Sequence, residues 1–122
     1  MKILIVDDSK AMRTFLTYLV QELRFETAQA DDGCNALEVL QQQSPFDLAL
    51  VDWDMPRMNG LEFVKAVRAL PAHRDLKLMM VTTQNSIDRV ALALEAGATD
   101  FLMKPVTKEL LEDKLRVVGV IE

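Results

Sequence analysis

Five times in succession this chain passes from a short apolar stretch into a segment of helical period, and so strict an alternation leaves few folds open. The apolar stretches cover residues 3–6, 47–51, 76–81 and 99–103, with a less hydrophobic one at 25–30 that reads as an edge strand. They are short and rich in Val, Ile and Leu, as strands covered on both faces are. Between them, Met12, Phe15, Leu16, Leu19 and Leu23 recur at three- and four-residue steps and predict one apolar stripe on a first helix. A second helix over 34–43 follows Gly33 and ends near Pro45. Leu61, Val64 and Val67 mark a third, which stops before Pro71. Ile87, Val90, Ala91 and Leu94 mark a fourth, closed by Gly97 at a C-cap position. Leu111, Leu115 and Val118 mark a fifth, entered through Thr107 as N-cap after Pro105.

Strand–helix alternation calls for a parallel sheet with helices on both faces, a three-layer α/β sandwich of five βα units. Right-handed crossovers leave few strand orders, and the flavodoxin-like order 2-1-3-4-5 is the expected one. At 122 residues the chain makes one domain, 1–122. In such sheets the functional crevice lies beyond the carboxyl ends of the strands, where the order reverses between strands 1 and 3. The residues that matter are then those directly after each apolar run.

At four of the strands those residues bring a carboxylate, a hydroxyl or an ammonium. Strand 1 ends in Asp7-Asp8, strand 3 in Asp52-Trp53-Asp54, strand 4 in Thr82-Thr83 and strand 5 in Lys104-Pro105. The topology brings Asp7, Asp8 and Asp52 together, with Asp54 close by and a hydroxyl and an ammonium at the flanks. Two carboxylates about 4 Å apart repel by roughly 4 kcal/mol at an effective dielectric of 20, so the cluster calls for a cation or for raised pKa values. Hard oxygen ligands from one or two carboxylates, completed by water and a phosphoryl oxygen, describe a Mg²⁺ site. Asp52 with such a cation, Lys104 as a second positive charge and Thr82 as a hydrogen-bond donor form a kit for placing phosphate on a carboxylate. Taken singly each feature has a plainer reading: Asp8 or Ser9 as a helix N-cap, Asp52 to Asp54 as a solvated loop, Thr82 as a strand end, Lys104 as a surface lysine. Their coincidence at the ends of four strands favours the chemical reading.

Composition removes other classes. The net charge is −5 and the 14 Lys and Arg residues form no basic run, which argues against nucleic acid or an anionic membrane as a partner. The N-terminal apolar stretch is too short for a signal peptide or a span, so the expected location is cytoplasmic. The single cysteine, Cys34, excludes an intrachain disulfide and reads as a half-buried small apolar residue at a helix start.

The motifs Ile3-Leu4-Ile5-Val6-Asp7-Asp8-Ser9, Val51-Asp52-Trp53-Asp54-Met55-Pro56-Arg57-Met58-Asn59-Gly60, Met80-Val81-Thr82-Thr83, Glu95-Ala96-Gly97-Ala98 and Lys104-Pro105 resemble, as a set, the response-regulator receiver domain of two-component signalling. The likeness covers essentially the whole chain and is to the stand-alone, CheY-like chemotaxis kind. It implies that Asp52 is phosphorylated by a histidine kinase from a phosphohistidine. It also implies Mg²⁺ held by Asp8, Asp52 and the backbone carbonyl of Asp54, with Asp7 acting mainly through water. Lys104 would pair with the phosphoryl group, Thr82 would move to hydrogen-bond it, and the Lys104–Pro105 peptide would be cis. Such a protein is not an enzyme beyond its own phosphorylation and dephosphorylation, and is expected as a monomer.

The chain departs from the family pattern in three places. Phe101 stands at the switch position that pairs with Thr82 and has no hydroxyl, so it can signal only by ring burial. Asp54 stands where chemotaxis members often carry Asn, and Gln84, two after Thr82, is placed to orient an attacking water. Output is expected through a target protein on the fourth helix, fifth strand and fifth helix, with Leu92, Phe101 and Lys108 as candidates. Three alternatives remain: a receiver cut from a larger transcription factor or output enzyme, a phosphohydrolase of the haloacid dehalogenase kind suggested by Asp52-x-Asp54, and a flavodoxin-like cofactor binder. The second lacks a cap and a further acidic loop. The third would need a Gly-, Ser- and Thr-rich loop where Asp7-Asp8 would repel a phosphate.

Overall fold

The computed structural model describes residues 1–83 and 87–121. Its elements run β1 (Lys2–Val6), α1 (Lys10–Glu22), β2 (Glu26–Ala30), α2 (Gly33–Gln43), β3 (Leu48–Asp52), α3 (Gly60–Arg68), a 3₁₀ turn (Pro71–His73), β4 (Lys77–Thr82), α4 (Ile87–Ala96), β5 (Asp100–Met103) and α5 (Lys108–Val117). All pairings are parallel and the sheet order is β2-β1-β3-β4-β5, as expected. The reversal falls between β1 and β3, so their carboxyl ends open a common crevice.

Side-chain alternation along the strands divides the interior into two cores. Leu4, Val6, Ala49, Val51, Leu78 and Met80 face α2, α3 and α4 and pack with Leu40, Phe63, Val64 and Val67. Ile3, Ile5, Leu48, Leu50, Met79 and Val81 face α1 and α5 and pack with Leu16, Val20, Leu111 and Leu115. Fully burying each large aliphatic side chain contributes about 1.5–3 kcal/mol. All five residues of β3 are buried, so the crevice rests on a central strand covered on both faces.

Helix starts follow their caps. Ser9, Asp32, Asn59 and Thr107 accept from the third residue onward, and Asn59 with Glu62 completes a capping box, each cap being worth about 1 kcal/mol. Gly97, at φ +117°, ends α4 in the left-handed region as expected.

Several boundaries move by one residue for visible reasons. β3 begins at Leu48, because Asp47 instead accepts from the Lys2 amide at 2.8 Å, and it ends on Asp52 itself. β5 begins at Asp100, because the Thr99 hydroxyl takes the place of a ladder acceptor for the Leu78 amide at 3.0 Å. Two expected stripes need correction. Phe15 is 42% exposed at the margin of the α1 stripe. On α4 the buried residue is Ala93, with Ala96 beside it, while Leu94 is 45% exposed; the helix presents its small residues to α3, whose larger side chains fill the layer. The Ile87 side chain and Gln84 lie outside the described residues.

Candidate functional site

β1 delivers Asp7 and Asp8 to the crevice, and β3 delivers Asp52 beside them. One carboxylate oxygen from each lies within 4.8 Å of the others, with Asp7 and Asp52 buried and Asp8 exposed. Asp7 is fixed by its neighbours: Ser9 donates its amide to Oδ1 at 2.9 Å, and Arg13 donates to the Asp7 carbonyl at 2.7 Å. Its Oδ2 is buried and, among the described residues, has no hydrogen bond.

Lys104, from the end of β5, reaches across the tip of β4. Its Nζ donates to Asp52 Oδ1 at 3.2 Å and lies 3.7 Å from Asp7 Oδ2. The backbone amide of Lys104 donates to the Thr82 carbonyl at 2.9 Å, which ties the lysine to the threonine's strand, and Thr82 is itself buried. The Lys104–Pro105 peptide is cis, as the resemblance implied; so is Ser44–Pro45, which nothing in the sequence reading anticipated.

The electrostatics follow from this crowding. Burial pushes the Asp52 carboxyl up and the nearby Asp7 charge adds to it, while Lys104 pulls it back; the balance is a pKa of about 6 against an ordinary 3.8. Burial also raises Asp7, opposed by the Ser9 amide and Lys104. Both acids are therefore short of positive charge even with the lysine in place. An orphaned buried oxygen and three hard oxygen donors converging on one point fit a small divalent cation such as Mg²⁺, which needs few protein ligands.

The side chain of Asp54 is not in this cluster. It is 69% exposed and makes a two-pronged pair with Arg89 of α4, at 3.2 Å from each oxygen, while the Arg89 guanidinium lies 4.9 Å from the centre of the Trp53 ring. The family role expected of Asp54 belongs to its backbone carbonyl, which the turn of the side chain does not touch. Phe101, half-buried on β5, packs at the edge of the core and carries Lys114 Nζ 4.6 Å from its ring centre.

The sequence reading missed the ionic ties around the crevice. Besides Arg89 and Asp54, Arg57 at φ +63° pairs with the buried Asp32 at 2.7 Å and so fastens the loop after β3 to the start of α2. Burial alone would raise Asp32, but the Asn35 amide and Arg57 outweigh it and hold its carboxyl below the ordinary value. Partners 25 and 35 residues apart carry no periodicity or motif that sequence inspection could detect. The close approach of Gly60 to β3 was also hidden: a Cβ there would meet the Asp52 carbonyl oxygen and come 2.8 Å from Met80 Cε.

Comparison with known proteins agrees with this geometry. The response regulator receiver domain model matches residues 3–116. The chain is 40% identical to the chemotaxis protein CheY of Pseudomonas aeruginosa, over 97% of this chain and 95% of that protein. It is 38% identical to the chemotaxis protein CheY1 of Helicobacter pylori strain J99, over 97% and 96%. Among solved structures, chemotaxis protein CheY4 of Vibrio cholerae superimposes with a TM-score of 0.90 at 37% identity, covering 96% of this chain and 97% of that one.

Proposed function

The chain belongs to the response regulator receiver domain family, of the CheY chemotaxis kind, and from that membership we propose that it is a phosphorylation switch with Asp52 as its acceptor. The observation that carries the reading is the setting of Asp52: a carboxylate at the tip of a buried strand, beside two other acids and 3.2 Å from Lys104. With a pKa of about 6 it is largely ionised at neutral pH and more basic than an ordinary carboxylate, which suits a nucleophile.

The donor is a phosphohistidine of a partner kinase. An Asp52 carboxylate oxygen forms a bond to phosphorus as the phosphorus–nitrogen bond breaks, and the imidazole leaves with the electron pair and takes up a proton. Lys104 exchanges its hydrogen bond to Asp52 for one to a phosphoryl oxygen, and the Thr82 hydroxyl donates to another. Asp7, Asp8, Asp52 and the Asp54 backbone carbonyl would hold Mg²⁺, which neutralises charge on the phosphoryl oxygens. The protein turns over nothing but its own phosphoryl group.

Output runs through a protein target on the face of α4, β5 and α5. Of the expected contact residues, Phe101 lies on that face with Lys114 Nζ of α5 4.6 Å from its ring centre, whereas the half-exposed Leu92 lines a groove with Leu61 and Lys65 of α3 and Lys108 pairs with Glu22 of α1 at 3.8 Å. Since Phe101 offers no hydroxyl, its ring reports the state of Thr82 through burial alone. A role in the cytoplasm is consistent with the absence, among the described residues, of any helix long and apolar enough to cross a membrane.

Trp53, the single tryptophan, adjoins the acceptor and provides the test. Its fluorescence is expected to change on adding Mg²⁺ and again on adding acetyl phosphate, with the second change lost in Asp52→Asn. A parent protein silent to both would sink the proposal.

A further inference from the structure

The contact between Arg89 and Asp54 has a character that its exposure conceals. Exposed ion pairs are usually worth little, but two features set this one apart. The guanidinium meets both carboxylate oxygens at 3.2 Å, the geometry that gives such pairs direction as well as attraction. The same guanidinium lies 4.9 Å from the Trp53 ring centre, so an aromatic face and a carboxylate on adjacent residues hold it together. The pair joins the loop after β3 to the first turn of α4 across the rim of the acidic crevice.

Its effect on the crevice is one of withholding. Asp54 lies two positions beyond Asp52, which places their Cα atoms at most about 7 Å apart. Asp7, Asp8 and Asp52 converge within 4.8 Å, while the Asp54 carboxylate stands outside that group, exposed and paired with Arg89. Freed, the carboxylate would add a fourth negative charge beside a cation held by the other three. We propose that Arg89 is a positioning residue that straps the Asp54 carboxylate to α4, keeping it out of the acidic crevice and so setting the crevice's cation affinity. The inference rests on the reading of that crevice as a Mg²⁺ site. It makes α4, part of the output face, sensitive to events at the acceptor without a hydroxyl on Phe101.

A double-mutant cycle read by Trp53 fluorescence tests this. Arg89→Ala is expected to tighten Mg²⁺ binding about fivefold by releasing Asp54, and Arg89→Lys to restore part of the parent's behaviour. In an Asp54→Asn background the same Arg89→Ala change is expected to do almost nothing, since no carboxylate remains to release. An equal gain in both backgrounds would show that Arg89 acts only through its long-range charge and would overturn the strap, as would no gain in either. In metal-free protein, Arg89→Ala is expected to leave Trp53 more open to quenching by iodide, and unchanged quenching also counts against the strap. A parent that binds no Mg²⁺ would instead sink the cation reading, and the quenching measurement tells the two failures apart.

Discussion

Lys104 Nζ reaches over the end of β4 to stand 3.2 Å from Asp52 Oδ1, joining two strands that are not neighbours in the sheet. The lysine is also 3.7 Å from Asp7 Oδ2, so one cation serves two buried acids whose pKa values remain raised. Most of the measurable behaviour of the site follows from this shortage.

Removing that cation should therefore be felt as instability. Lys104→Met leaves Asp7 and Asp52 without their shared partner and drives both carboxyls further up. Chemical denaturation in EDTA at pH 8 is expected to show a loss of about 1–2 kcal/mol that shrinks at pH 5, where the acids take up protons. A variant as stable as the parent at pH 8 would mean that the lysine is not compensating them.

Asp52→Asn should have the opposite sign. The folded-state pKa of Asp52 is raised from 3.8 to about 6, so between these values the folded protein binds more protons than the unfolded chain. Its contribution to stability thus grows as pH falls through about 6 and is complete below about 4. At pH 8 the parent carries an ionised, poorly compensated carboxylate that Asn lacks. In metal-free buffer the variant is expected to be more stable by about 1–2 kcal/mol at pH 8, the shift being discounted for solvent screening, with the gap closing near pH 4.5. A variant weaker than the parent at pH 8 would contradict the raised value.

Divalent cations should reverse the penalty. Mg²⁺ in millimolar amounts is expected to raise the parent's melting temperature at pH 8, with EDTA returning it to the starting value. The gain should fade as pH drops below about 6, because protons on Asp52 compete with the cation. A thermal shift that stays constant from pH 8 to pH 5 would place the ion elsewhere.

Gly60 is a structural test of the acceptor's seat. Any side chain here meets the Asp52 carbonyl oxygen and stands 3.0 Å from the Trp53 Cα, and backbone cannot yield as a side chain can. Gly60→Ala is expected to cost about 2–3 kcal/mol and to slow phosphorylation by acetyl phosphate. Wild-type stability in that variant would mean that the loop after β3 is looser than its packing indicates.

The framework was legible because it rests on period and order. Ile3 to Val6 and Leu48 to Val51 announce buried strands, and alternation with helices then dictates a parallel sheet whose carboxyl ends gather Asp7, Asp8 and Asp52. The phase of α4 was not legible. Leu94 looked like a core residue and is exposed, because Ala93 and Ala96 fit beside the bulk of α3 and a leucine does not. Nor were the ties Arg57 to Asp32 and Arg89 to Asp54, which exist only once crossovers bring distant segments to one rim. Order along a chain predicts which strand ends meet; it says nothing of which charged side chains then choose each other.

The burial of β3 on both faces and both edges has a mechanical meaning. A strand buried along its length and paired on both edges resists bending and sliding, so the proposed group at its tip would find little give in the sheet. The disturbance would pass instead to what rests on the tip: the loop after β3, which Arg57 and Arg89 tie to α2 and α4, and Lys104 at the end of β5. On the proposed function, a phosphoryl group arriving at Asp52 would act like a blow on an anvil, where only the pieces resting on top are displaced.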